Sequence, residues 1–189
     1  NGDGNYAIAF APVQAEITPK PVTASFTAAD KVYDGNAMAQ ASSFDFGGQL
    51  VAGDVLTITG PGGAATVPAA FSQVKAGVWK VTVVLASCTV TGNDEGNYAI
   101  SFSDQVTATI TPKPVAVSFT AEDKTYDGSR TATVRDFVFT GVVEGDVLSV
   151  QDATAQFAES RVGAWPVTLD PGYTVTGNSE GSYALSFAG

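Results

Sequence analysis

The chain has no histidine, one cysteine and one methionine in 189 residues. Without histidine, the commonest general base and metal ligand is missing, and with it any Ser-His or Cys-His pair. The lone Cys88 excludes an intrachain disulfide. Its apolar neighbours read as those of a small core hydrophobe in a strand, without the basic surroundings that activate a thiol. Charge is also sparse and one-sided, with 9 basic residues against 19 acidic ones and a net charge of −10. That balance repels phosphate backbones and anionic lipid, so neither nucleic acid nor membrane is expected as a partner. No apolar run approaches the roughly 20 residues of a spanning helix. What the chain does have is a 44% hydrophobic fraction, which suits a folded core.

Repetition is the dominant feature. Ile17-Thr18-Pro19-Lys20-Pro21 through Tyr33-Asp34-Gly35 returns as Ile110-Thr111-Pro112-Lys113-Pro114 through Tyr126-Asp127-Gly128, 93 residues later. Thr89 through Phe102 returns as Thr174 through Phe187. Internal repeats of this kind define units that stack or string together. Three segments follow. Residues 1–17 match the end of a unit and read as the C-terminal hairpin of a preceding repeat. Residues 18–110 form a first full repeat. Residues 111–189 form a second repeat that lacks its last strand. The chain opens in mid-pattern, which points to a segment of a longer protein. The offset falls from 93 to 92 at Gly145-Asp146 and to 86 by Trp165, so the first repeat carries six extra residues between Leu56 and Trp79, centred on Pro61-Gly62-Gly63. Insertions of that kind concentrate in surface loops.

Within each repeat the apolar period is two. Val22, Ala24, Phe26 and Ala28 alternate with polar residues, as do Tyr98, Ile100 and Phe102. Glycine-containing turns such as Tyr33-Asp34-Gly35 and Gly53-Asp54 separate the runs. About seven strands per repeat with no helical period predict an all-β fold of tandem immunoglobulin-like β-sandwiches, with a β-grasp-like repeat containing one short helix as the alternative. The Thr-Pro-Lys-Pro stretches at 18–21 and 111–114 predict short, stiff, polyproline-like joints. Lys20 and Lys113 lie in those joints, within reach of an acidic neighbour.

The polar residues carry no constellation that requires chemistry. Asp30/Asp123, Asp34/Asp127 and Asp54/Asp146 recur at turns and strand ends, where aspartate serves the backbone. A weak calcium site near a turn or joint is the one cofactor reading they leave open, without an Asp-x-Asp-x-Asp loop to support it. Trp79 and Trp165 recur just past a glycine and read as packing aromatics, with a sugar-stacking platform as the alternative. Tyr33 and Tyr126 read as packing tyrosines whose hydroxyl caps a neighbouring turn. No catalytic, cofactor-binding or metal-ligating residue is assigned.

Tyr-Asp-Gly at 33–35 and 126–128, Gly-Asp-Val at 53–55 and 145–147, Gly-Asn-Tyr at 96–98 and Thr-Ile-Thr-Pro-Lys at 109–113 occur together. In this the chain resembles the YDG/MBG-type tandem repeats of bacterial surface adhesins, including filamentous-haemagglutinin-like proteins. Gly-Ser-Tyr at 181–183 is a small departure. The resemblance implies a secreted, extracellular location at the bacterial cell surface and a non-enzymatic stalk or fibre segment that extends a binding tip. The alternative is that the repeats themselves bind a host or matrix glycan or protein. Expected partners are neighbouring repeats of the same chain and other copies through strand complementation at the open end of the second repeat.

Overall fold

Alternating apolar residues place one face of each strand inward, and the first strand shows it directly. In β1 (Lys20–Ala28), Val22, Ala24 and Phe26 are buried while the residues between them face solvent. The computed structural model describes residues 4, 9–178 and 180–187. The first unit continues with β2 (Lys31–Val32), β3 (Met38–Asp45), β4 (Thr57–Thr59), β5 (Val67–Phe71), β6 (Gly77–Val83), β7 (Thr89–Thr91), β8 (Tyr98–Phe102) and β9 (Thr107–Thr111). Seven of these form one sheet in the order β2-β9-β6-β5-β3-β1-β8, while β4 and β7 pair as a separate ribbon. Leu56, just before that ribbon, and Ile58 within it meet Val67, Phe71, Val81 and Ile110 of the large sheet in one core. The fold is all-β and sandwich-like. Two pairings are parallel, β1 with β8 and β2 with β9.

The second unit comprises β10 (Lys113–Ala121), β11 (Thr131–Ala132), β12 (Val134–Thr140), β13 (Ser149–Gln151), β14 (Ala155–Phe157), β15 (Val167–Leu169), β16 (Thr174–Thr176) and β17 (Tyr183–Phe187). Its strands fall into three pieces, β12-β10-β17, β11-β14-β15 and β13-β16. Both units bend at the same place. Ser43 and Asp136 stand at equivalent positions with φ of 55° and 53°, beside register shifts at Ser25/Thr27 and Ser118/Thr120. This is a β-bulge in each copy, and it deepens the local twist.

Several expectations need correction. The Pro-Lys-Pro stretches are not free polyproline linkers: Lys20 and Lys113 already begin β1 and β10. Only Pro112 separates β9 from β10. Proline is tolerated at Pro21 because β3 reaches β1 only from Ser25 onward, so the strand has a single neighbour there. The strand expected over Val13 to Ile17 is not formed, and residues 9–19 carry no strand pairing. Most of its expected hairpin mate, residues 5–8, lies outside the described residues. Thr89–Thr91, predicted from alternation alone to continue the strand that starts at Trp79, turns away from β6 and pairs with β4. Cys88 lies in the bend before β7, half-buried, and burial raises its thiol pKa. The helix of the β-grasp alternative is absent among the described residues, where helix is limited to single 3-10 turns at Pro61–Gly63 and Leu85–Ser87.

Candidate functional site

The Tyr33-Asp34-Gly35 turn is held from inside. Asp34 Oδ1 accepts the Asn36 backbone N–H at 3.2 Å, an Asx turn, and Gly35 takes the positive φ of 79°. The Lys31 ammonium lies 2.7 Å from Asp34 Oδ1, donates to the Asn36 carbonyl at 2.7 Å, and sits 5.7 Å over the Phe71 ring. The second unit repeats the clamp: Lys124 reaches Asp127 at 3.0 Å and the Ser129 carbonyl at 2.9 Å, with Phe157 beneath it. The Ser129 backbone N–H and then Lys124 hold the Asp127 carboxyl at about 2, below the usual carboxylate range.

In the first unit β9 carries this turn toward its neighbour. Thr111 O accepts the Tyr33 N–H at 2.8 Å, and Asp30 Oδ1 accepts the Thr109 N–H at 2.6 Å. Tyr33 is thereby aimed at the second unit, where its hydroxyl donates to Asp146 Oδ2 at 2.9 Å. The same carboxylate oxygen accepts the Tyr183 hydroxyl at 2.5 Å, and that hydroxyl accepts the Val143 N–H at 3.1 Å. The two rings meet edge to face, 5.3 Å apart at 81°. Gly35 packs so closely on Val143 that a Cβ would lie 3.0 Å from its Cγ1. A second point of attachment joins Lys75 to Glu180 in an ion pair, and Ser182 Oγ accepts the Ala76 N–H at 3.3 Å. Between the two attachments runs a cleft of about 490 Å³, floored by Tyr33, Asp146 and Tyr183.

Among the described residues, half of this junction recurs without a third partner. In the first unit Tyr98 donates to Asp54 Oδ2 at 2.6 Å and accepts the Val51 N–H at 2.9 Å. Each tyrosine is set by an asparagine five residues before it. Asn93 Oδ1 accepts the Tyr98 N–H and its Nδ2 donates to the Tyr98 carbonyl, both at 2.9 Å, as Asn178 does for Tyr183. Burial, then the bond to Asp146, pushes the Tyr183 hydroxyl up to about 12. Tyr33 is raised by the same causes, and Tyr98 by its bond to Asp54 and then by burial. These phenols stay protonated and remain donors. A carboxylate shared by two such donors is a lock; it offers neither a nucleophile paired with a base nor a free acid.

The YDG domain family matches the chain twice, over residues 18–108 and 111–188. The chain belongs to the YDG domain family. Comparison with curated proteins and with solved structures gave no match. The Tyr-Asp-Gly of the first YDG unit, the Gly-Asp-Val of the second and the Gly-Ser-Tyr of the second are thus brought together at one junction. The Tyr33 hydroxyl reaches the side chain of a turn residue in the next YDG unit, Asp146, rather than capping a turn backbone, and Tyr126 is exposed instead of packed. Among the described residues Lys20 meets no acidic neighbour; its ammonium donates to the Gln49 carbonyl within its own unit. Trp79 and Trp165 fold back over Gly77 and Gly163 and donate to the carbonyls of Lys75 and Arg161 at 2.7 and 2.8 Å. Asp54 and Asp146 were legible as turn residues; their tyrosine partners were not, although the joint recurrence of Gly-Asp-Val and the tyrosine motif was the available signal. Among the described residues, no three of Asp, Glu, Cys or His gather as they would around a metal ion.

Proposed function

We propose that this chain is a non-enzymatic stalk segment of a large bacterial surface adhesin of the filamentous-haemagglutinin-like kind, secreted and displayed outside the cell to hold a binding tip at a distance. The observation that carries the reading is the junction itself. A one-residue connection at Pro112, two tyrosines on Asp146 and the Lys75–Glu180 pair restrain the second unit against the first at several points. A spacer needs that restraint, because a floppy tether of the same length shortens entropically. Small-angle scattering of the chain tests it. An elongated particle with little conformational spread is expected; a compact particle, or one as variable as a flexibly linked pair, counts against it.

A second reading is that the repeats bind a host or matrix glycan or protein directly, and the cleft between the units favours it. Gln73, Lys75, Asn178 and Glu180 line its walls and offer both donors and acceptors above the tyrosine floor. Binding to a glycan array that disappears in Gln73→Ala would support this reading, and silence on the array would remove it.

A further inference from the structure

Most paired strands of the first unit run antiparallel, and the two parallel pairings stand at particular places. Each joins one of the unit's first strands to one of its last. β1 runs beside β8, from Lys20 opposite Tyr98 to Ala24 opposite Phe102. Among the described residues β8 is its one strand neighbour there, because β3 joins only at Ser25. After Ala29 and Asp30 the chain continues as β2, which runs beside β9 with Lys31 opposite Ile110 and Val32 opposite Thr111. Further bonds gather at this second pair. The Thr109 N–H donates to Asp30 Oδ1 at 2.6 Å, the Tyr33 N–H to Thr111 O at 2.8 Å, and the Thr111 hydroxyl to the Lys31 carbonyl at 3.3 Å. Ile110, 1% exposed, fixes β9 in the core.

The backbone enters this unit through Pro19 at the N-terminal end of β1 and leaves through Pro112 at the C-terminal end of β9. Opposed pulls at those two points drag β1 and β9 along their parallel partners in opposite senses. The slanted, evenly spaced bonds of a parallel ladder are then strained together and must fail together. A pull on the same end of both strands instead opens the ladder one bond at a time. We propose that this unit carries tension along the chain, with the β1–β8 and β2–β9 pairs as the parts that resist it. β9 has five residues against nine in β1, so β9 gives first. Asp30 belongs to that resistance, since its carboxylate ties β9 at Thr109 to the bend between β1 and β2. The second unit repeats the entry. β10 runs parallel to β17, from Lys113 opposite Tyr183 to Val117 opposite Phe187, so force leaving β9 through Pro112 passes into a strand held in the same way. This deepens the stalk reading: the segment sustains a pull as well as spanning a length.

Optical-tweezers unfolding of the whole chain in a Cys88→Ser background tests this, with DNA handles on pairs of introduced cysteines at exposed sites. Ile17→Cys with Ala116→Cys pulls through the natural entry and exit. Ile17→Cys with Glu95→Cys pulls on the same end of β1 and β8, because Glu95 lies just before β8. At equal loading rate the first direction should need the higher force. Asp30→Ala should raise the unfolding rate at fixed force about tenfold along the first direction, as the loss of one charged hydrogen bond implies. It should leave the second direction unchanged, since that bond is still made when β1 leaves β8. A side chain that only stabilised the fold would accelerate both directions alike. Equal forces along the two directions overturn the proposal, and so does an Asp30→Ala effect that is the same in both, including none. The stalk reading fails separately: a compact or variable particle in scattering removes it and leaves the resistance to pulling untouched.

Discussion

The two units share their turns, their bulge and their tyrosine–aspartate pairs, yet one is knitted into a continuous sheet and the other is not. β9 makes that difference. Lying between β6 and β2, it closes the first unit's large sheet and completes a core in which Val81 and Phe71 are buried. In the second unit the counterparts Val167 and Phe157 are only half-buried, and the sheet is left in separate pieces. The same strand holds the Tyr33 turn through Thr111, whereas among the described residues the Tyr126 turn has no such support and its ring is exposed. One strand therefore does two jobs, closing a hydrophobic core and aiming the tyrosine that fastens the next unit.

Substitutions that treat the two copies differently test that difference. The largest effect is expected at β9. Ile110→Ala should destabilise the first unit by about 2–5 kcal/mol, because a fully buried side chain leaves a cavity. Its sequence twin Ile17→Ala should not change the stability of the monomer. Urea denaturation followed by Trp79 fluorescence in a Trp165→Phe background reads the first unit alone.

Next come the buried tyrosines. Tyr98→Phe and Tyr183→Phe should each cost about 1–3 kcal/mol, since each removes a hydroxyl that both donates to a carboxylate and accepts a backbone N–H. Only Tyr183→Phe should also loosen the junction, because only Asp146 is shared with the neighbouring unit. Amide hydrogen exchange at Ala76, whose N–H is bonded to Ser182 across the junction, distinguishes the two variants.

Alkaline pH should open the same lock. The folded pKa of Tyr183, about 12, lies above the ordinary tyrosine value of 10.0. Below pH 10 both the folded and unfolded forms are protonated, and the stabilisation is fully present. Between pH 10 and about 12 the unfolded form ionises first, so stability is lost progressively as pH rises through that window. Unfolding midpoints measured across it should fall, and Tyr183→Phe should flatten the fall. The smallest effect belongs to the lysine clamps. Lys31→Met and Lys124→Met should change stability by about 1 kcal/mol or less, as partly exposed ion pairs usually do, and salt should diminish even that.

Much of the fold was legible from periodicity. Val22, Ala24 and Phe26 alternate in the sequence and face one core in the structure, and the duplicated segments became duplicated strands and turns. What escaped was pairing at long range. Nothing near Thr89 says that it leaves β6 for β4, because local alternation describes faces and not partners. The proline stretches misled for a related reason: proline forbids a ladder bond on one side only, and β1 has a neighbour on one side only at Pro21. The junction was half legible. Tyr33 and Asp146 each stood out as repeated turn residues, but bringing them together across 113 positions depends on β9 and β10 running on through Pro112.

The most direct test is the distance distribution between spin labels on exposed sites of the two units, Met38→Cys and Val138→Cys in a Cys88→Ser background, measured by double electron–electron resonance. With Tyr33 intact, one narrow distribution is expected, and Tyr33→Phe should broaden it without changing the melting of either unit. A distribution already broad with Tyr33 intact, or one that Tyr33→Phe leaves unchanged, would show that the tyrosine on Asp146 does not hold the units in line.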